Sequence, residues 1–194
     1  MATYGTLAAL RNRFGFDPSD TSRDEDLTGA LEAASRYIDR NTGRRFWLDG
    51  TAVSRTVRTA GRVACRPDGD LLLVEDIGDD TDMIVEAGTP GSWVQLHDWE
   101  THPDNALADG HPITGLLRVG MWGTARVRIT ARWGWPEVPA DITEATLIQA
   151  QRLYKRKDSP EGIIGSAEWG VRNLSRRDPD VWALIEPFIL PGFG

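Results

Sequence analysis

The sequence is poor in the residues that would make it an extracellular, membrane or nucleic-acid-binding protein. Its 194 residues hold one cysteine, Cys65. A single thiol excludes an internal disulfide and any multi-cysteine zinc site, and it fits a chain made in a reducing compartment. Cys65 itself reads as a packed or idle thiol rather than a reactive one. Positive charge is also short, with 22 Lys and Arg against 29 Asp and Glu, a formal net charge of -7. Such a chain is repelled by phosphate backbones and by anionic membrane surfaces, which argues against a general nucleic-acid binder. No apolar run approaches the roughly 18 residues needed to cross a bilayer. Even Leu71 to Val74 is followed directly by Glu75 and Asp76. Residues 1–10 have no basic segment leading into an apolar core and a small-residue cleavage site, so a cytoplasmic product is expected. Neither a GxSxG elbow, a P-loop nor a dinucleotide fingerprint occurs, and no catalytic site is nominated.

What the chain does have is globular composition, 26% charged and 40% hydrophobic residues, at a length suited to one domain with an insertion. In the first section, residues 1–47, Ser22 followed three residues later by Glu25 has the spacing of a capping box, and Asp24, Glu25 and Asp26 suit the positive end of a helix dipole. Leu27, Ala30, Leu31, Ala34, Tyr37 and Ile38 then recur at three- and four-residue steps until Gly43, which predicts a helix over 23–42. A shorter helix over 6–13 precedes it, ended by Gly15 and the Asp17-Pro18 turn.

Between residues 48 and 136 the period changes to two. Ala125, Val127, Ile129, Ala131 and Trp133 alternate with Arg126, Arg128, Thr130 and Arg132, the mark of a half-buried strand. Further strands are expected at 54–59, 71–74, 83–87, 93–96 and 116–119, separated by clusters of Gly, Pro and Asp. Together they imply a small antiparallel sheet or sandwich. Helical spacing returns over 142–157, with Asp141 and Glu144 at its start and Lys155, Arg156 and Lys157 at its end. Ile142, Ala145 and Ile148 form one apolar set and Leu147, Ala150 and Tyr154 a second, so this helix is expected to be buried on several sides. Asp178 before Pro179 caps a short closing helix carrying Val181, Leu184, Ile185 and Phe188. The apolar stretch from Ile189 to Gly194, broken by Pro191 and Gly192, cannot continue as regular structure and needs something to bury it.

Three constellations bear on chemistry. His97, Asp98, Glu100, His102, Asp104 and His111 offer metal-ligand side chains, but without HExxH spacing the stretch reads as a polar loop. Glu75, Asp76, Asp79, Asp80 and Asp82 lack the spacing and central glycine of a calcium loop and read as a solvated turn between strands, with charge complementarity toward a neighbouring subunit as the alternative. Arg126, Arg128 and Arg132 share one strand face, which is expected to be solvated or paired with acids rather than laid against phosphates. Five of the eight tryptophans fall between residues 93 and 135. Most should be core, and a few could anchor an interface.

The run Arg132-Trp133-Gly134-Trp135-Pro136-Glu137-Val138-Pro139-Ala140-Asp141-Ile142, with Leu153-Tyr154-Lys155-Arg156-Lys157-Asp158-Ser159-Pro160-Glu161-Gly162 after it, resembles the head-to-tail adaptor (connector) proteins of long-tailed phages, especially those of actinobacteria. Residues 31–40 with Gly43-Arg44-Arg45-Phe46, and the closing Ser175-Arg176-Arg177-Asp178-Pro179-Asp180-Val181, are similar to the same family. The resemblance covers the two ends of the chain and is loose across residues 48–116.

It implies an α+β protein in which residues 1–47 and 137–194 form a helical bundle and residues 48–136 a β-rich insertion between the second and third main helices. It also implies a non-enzymatic virion neck protein without cofactor or resident metal. Twelve copies would form a ring that docks on the phage portal, meets the next neck protein below, a stopper or head-closure protein, and lets DNA pass without sequence-specific binding or membrane contact. The residues expected at the portal or subunit interface are Phe188, Ile189, Leu190, Pro191, Phe193, Trp182, Ile148 and Tyr154. Removing residues 188–194 is expected to leave the fold intact. Two alternatives stay open, a neck stopper or tail-completion protein and a metal-dependent hydrolase using His97, His102 and His111.

Overall fold

The computed structural model describes residues 3–123, 126–157, 163–164, 172–173 and 178–190. It is a mixed structure of helices and antiparallel sheet, and it divides into two compact units, Met1–Arg44 with Val138–Gly194, and Arg45–Glu137.

The first unit is helical. Helix α1, Leu7–Phe14, starts at Thr6, whose side chain accepts a hydrogen bond from Ala9 N at 3.1 Å, and stops at Gly15 with φ 67°. Helix α2, Asp24–Thr42, buries Leu27, Ala30, Leu31, Ala34 and Ile38, the stripe foreseen from their spacing. Its start differs from the expected capping box. Arg23 occupies the cap position with no side-chain bond, and Ser22 N donates instead to Asp20 Oδ1 at 2.9 Å. Asp20 has drawn Ser22 into a local turn, while Asp24 is held by Arg11 Nε at 2.9 Å. The three acids of the first turn remain to favour the helix dipole.

Helix α3, Ala140–Arg156, also begins without a side-chain cap, at Pro139. Asp141 lies in its first turn, and Glu144 is taken by an ion pair with Arg13 rather than reaching back to the helix start. Ile142, Ala145, Leu147 and Ala150 are buried together with Thr146 and Gln149, which matches the expected burial on several sides. Leu147 and Ala150 pack with Leu10, Leu27, Ala30, Leu31 and Ala34 into one core. Helix α4, Pro179–Ile185, is capped by Asp178, which accepts from Asp180 N at 3.0 Å and Val181 N at 3.3 Å, and it packs on α3. One 3-10 turn, Glu186–Phe188, follows.

The second unit is a seven-stranded antiparallel sheet. Its strands are β1 Val53–Arg58, β2 Val63–Arg66, β3 Gly69–Thr89, β4 Ser92–Gln95, β5 Glu100–His102, β6 Ile113–Arg118 and β7 Arg126–Trp133. The order is β1-β7-β3-β6-β5, with β2 and β4 also paired to β3. A further two-residue pair, β8 Ile163–Ile164 with β9 Arg172–Asn173, lies in the first unit.

Strand β3 is the spine, and it overturns the expected solvated turn. The acids from Glu75 to Asp82 do not separate two strands, because they sit within one bulged strand of 21 residues. Two of these acids have donors that hold them to the sheet, while Asp80 and Asp82 stay exposed. Asp79 binds Arg132 Nη1 at 2.7 Å and Thr81 N at 2.8 Å, and Asp76 accepts from Trp135 Nε1 at 3.1 Å. Between them Ile77 is fully buried and pairs with both Ile113 and Trp133, so the strand changes partners there instead of ending. Strand β7 alternates as expected, burying Val127, Ile129, Ala131 and Trp133. Ala125 lies outside the described residues. No helix among the described residues is long and apolar enough to cross a membrane.

Candidate interaction surfaces

The residues expected at an interface sit at separate places in the helical unit. After the 3-10 turn the chain extends along the end of α2. Arg44 Nε donates to Phe188 O at 2.9 Å, and Leu190 N donates to Thr42 O at 2.9 Å. These bonds use carbonyls and cations left over where α2 stops at Gly43 with φ 69°. Phe188 and Ile189 are therefore half-buried, whereas Leu190 keeps 43% of its surface exposed. Pro191 and Phe193 lie outside the described residues. Since residues 188–190 are tied to α2 by backbone bonds, they are part of the subunit as well as a candidate contact.

Trp182 and Ile148 are half-buried on α4 and α3. Tyr154 is six residues from Ile148, about 240° around the helix, so the two do not share a face. Its ring packs against Phe14 at 5.0 Å and Phe16 at 6.3 Å within its own unit. Most of what Tyr154 offers is already spent.

In the β-rich unit, Val119 and Met121 are the most exposed large apolar side chains, at 90% and 79%. Their segment is held in shape from below. Arg118 Nη1 donates to Met121 O at 3.0 Å and its Nη2 pairs with Asp98 at 2.8 Å. Trp122, buried, donates from Nε1 to Asp70 O at 2.8 Å.

The arginine face of β7 pairs with acids. Arg128 binds Glu86 through Nε and Nη2, and Arg132 binds Asp79. The carboxyl of Glu86 is held below its ordinary range by the Arg128 hydrogen bonds, and that of Asp79 by the bonds from Thr81 and then by Arg132. Sequence reasoning missed that arginines also lie over tryptophans, Arg55 over Trp133 at 4.6 Å and Arg128 over Trp93 at 4.7 Å. The unusual frequency of both residue types was the available signal.

The histidine-rich segment does not converge. Asp98 is committed to Arg118, His102 Nε2 stands 3.4 Å from Arg66 Nη1, and His111 meets the edge of Trp135 at 6.0 Å. Among the described residues no three His, Cys, Asp or Glu side chains are placed to hold a metal ion. His97, His102 and His111 are thus not brought together as the hydrolase alternative requires.

No protein-family model matches the chain, and no curated protein matches it. Solved structures do. The fold is shared with chains of gene transfer agent particles. One, from the neck of an empty GTA particle computed with C6 symmetry, matches at a TM-score of 0.54 and 19% identity over 97% of this chain and 91% of that one. Another, from the virion of a native gene transfer agent particle, matches at 0.54 and 17% identity over 100% of this chain and 95% of that one. At these identities the likeness is one of fold. It extends over both units of this chain.

Proposed function

We propose that this chain is a structural, non-enzymatic protein of a phage-like virion neck, a head-to-tail adaptor made in the host cytoplasm. Its copies form a ring that docks on the portal, links capsid to tail and lines the channel for DNA. The observation that carries this reading is the fold shared, over 97% of this chain, with a chain from the neck of a GTA particle. In this reading the α+β architecture is a helical bundle, residues 1–47 and 137–194, with residues 48–136 as a β-rich insertion. The division of the chain at Arg44 and at Glu137 supports it.

Ring formation draws support from the C6 symmetry with which that neck was computed, which is compatible with the twelve copies expected here. Exposed apolar residues at Leu190, Val119 and Met121 give surface that association would cover. A net charge of -7 suits a wall past which DNA slides without sticking. Portal docking is assigned to Phe188, Ile189, Leu190, Pro191 and Phe193, with Trp182, Ile148 and Tyr154 flanking the contact between subunits.

Mixing the purified chain with its cognate portal and imaging the product by electron microscopy tests the proposal. A ring seated directly on the portal is the expected result. Attachment that requires an intervening ring would identify a stopper or tail-completion protein instead, and a chain that stays solitary beside the portal would overturn the neck reading.

A further inference from the structure

Three arginines of the β-rich unit stand apart from the rest. Arg45, Arg55, Arg118, Arg128 and Arg132 each bind a carboxylate. Among the described residues Arg58, Arg62, Arg66 and Arg126 have no carboxylate partner; Arg66 Nη1 stands 3.4 Å from His102 Nε2, and the other three lie toward one end of β1 and β7. Arg58 and Arg126 are direct cross-strand partners on β1 and β7, an arrangement of like charges that works against sheet stability. Arg58 and Arg62 also line a cleft of about 370 Å³ with Arg55, Glu75 and Trp133. That cleft runs along β1, which pairs only with β7 among the described residues.

Toward the other end of β7 the charge is reversed. Arg132 is neutralised by Asp79, and β3 bulges between Asp79 and Ile84. Asp80 and Asp82 are exposed on this bulge, Asp82 with φ 58°. Arg126 and Arg132 are six residues apart along an extended strand, roughly 20 Å at about 3.3 Å per residue. One rigid sheet therefore carries an unneutralised positive end and an unneutralised negative end.

We propose that these two ends meet in adjacent copies, the Arg58, Arg62 and Arg126 group of one chain receiving Asp80 and Asp82 of the next. The inference rests on the ring reading above and deepens it. A contact between two unlike patches is heterologous, and repetition of it closes a ring when the rotation permits. Copies that each carry -7 repel at long range, so complementary ends are needed to select one relative orientation. Charges of this kind set register and encounter more than affinity. Phosphate is the competing occupant of an arginine cluster. The acidic bulge favours a second copy, because it supplies the complement from the same unit, and residues 48–136 hold thirteen acidic against eight basic residues.

The test uses two charge-reversed full-length chains. Arg58→Glu with Arg62→Glu makes both ends acidic. Asp80→Arg with Asp82→Asn makes both ends basic and keeps a residue tolerant of positive φ at the bulge. Thermal melting checks the fold, and Arg58→Glu should hold or raise the melting temperature because it places opposite charges across β1 and β7. Sedimentation velocity, alone and with cognate portal, is expected to show each variant self-associating at least tenfold more weakly than wild type. An equimolar mixture should recover association, and 0.5 M salt should weaken the wild type. Variants that associate as wild type, or a mixture that stays apart, would overturn this contact. Rings still formed by both variants would leave the neck reading standing, whereas a wild-type chain that never associates sinks both. A fluorescent DNA duplex bound by wild type and lost in the arginine variant, with self-association unchanged, would assign the cluster to phosphate and overturn the inference.

Discussion

Arg128 holds Glu86 in a two-pronged grip, its Nε and Nη2 each 2.6 Å from a carboxylate oxygen. The pair joins β7 to β3 on the face away from the core, and the guanidinium lies 4.7 Å from the centre of the Trp93 ring on β4. Three strands are thereby clamped by one side chain. Bidentate, charge-assisted bonds are the stronger kind, but partial exposure screens this one. Arg128→Met should lower the melting temperature only slightly.

The same pair sets a pH dependence. Glu86 is depressed from its ordinary 4.5 chiefly by the Arg128 hydrogen bonds. A group with a lowered folded-state value contributes stability that is fully present above the unfolded value and is lost as pH falls through the folded one. Wild-type stability should therefore decline as pH drops below about 4.5. Arg128→Met should flatten that decline, as measured by urea unfolding at stepped pH. An unchanged acid slope would show that the clamp is not ionic.

Met121 and Trp122 are neighbours in sequence with opposite expected sensitivities. Met121 is 79% exposed and Trp122 2%. Met121→Ser should change stability by less than about 0.5 kcal/mol. Trp122→Ala removes a buried ring and leaves Asp70 O without its donor, so a loss of about 3 to 5 kcal/mol is expected. Equal effects of the two in thermal melts would mean that the segment packs differently from the geometry described.

The elements that could be read from sequence are those whose own side chains decide them. Helix α2 was expected over 23–42 and spans Asp24–Thr42, because one apolar stripe fixes its period. Strand β7 and the Asp178 cap were legible for the same reason. Features decided by competing or distant partners were not. Ser22 and Glu25 have capping-box spacing, yet Asp20 competes locally for Ser22. The acids of β3 look like a turn until Arg132 and Trp135, more than 50 residues away, are seen to receive them. Strands β2 and β5, of four and three residues, are too short to carry a period and exist through pairing with β3 and β6. At the candidate interface the apolar character of residues 188–190 was visible, but their bonds to Thr42 and Arg44 were not. Nor could spacing alone reveal that Phe14 and Phe16 occupy Tyr154.

Gly134, between Trp133 and Trp135 at the end of β7, is required by the backbone. Its φ is 116°, and a Cβ there would lie 2.0 Å from Trp47 O. Its N–H donates to Asp76 O at 2.8 Å, anchoring the end of β7 to β3. Gly134→Ala combines a disfavoured conformation with a collision against main chain that cannot rotate away, and a loss of about 3 kcal/mol or more is expected. Soluble expression and a melting temperature near wild type would refute that backbone geometry.

Cys65 sits opposite Asp70 across β2 and β3. It is exposed, but a hydrogen bond to Asp70 and that residue's negative charge raise the thiol above its ordinary 9.0. The thiolate is the reactive form. Asp70→Asn should therefore quicken alkylation by iodoacetamide at pH 8 by roughly two- to fivefold, with the gap closing at higher pH as both thiols ionise. Equal rates at pH 8 would remove Asp70 as the cause of a sluggish thiol.

Leu190 distinguishes a tail that belongs to its own subunit from one that also serves a partner. Its N–H is bonded to Thr42 O, while its side chain remains 43% exposed. The backbone bond survives a change of side chain, so Leu190→Asp should lower stability by no more than about 1 kcal/mol. If the exposed part of Leu190 enters an apolar site on the portal, the same substitution buries an unpaired carboxylate there and should weaken attachment at least tenfold. Removing residues 188–194 is the blunter change. It also frees Thr42 O and the Arg44 guanidinium from their tail partners, and it should cost the subunit about 1 to 3 kcal/mol rather than leave the fold untouched. Sedimentation with purified portal and urea unfolding of the same preparations separate the two effects. A Leu190→Asp chain that unfolds as readily as the truncated one, yet binds portal like wild type when folded, would confine the tail to the role of a strap across the end of α2.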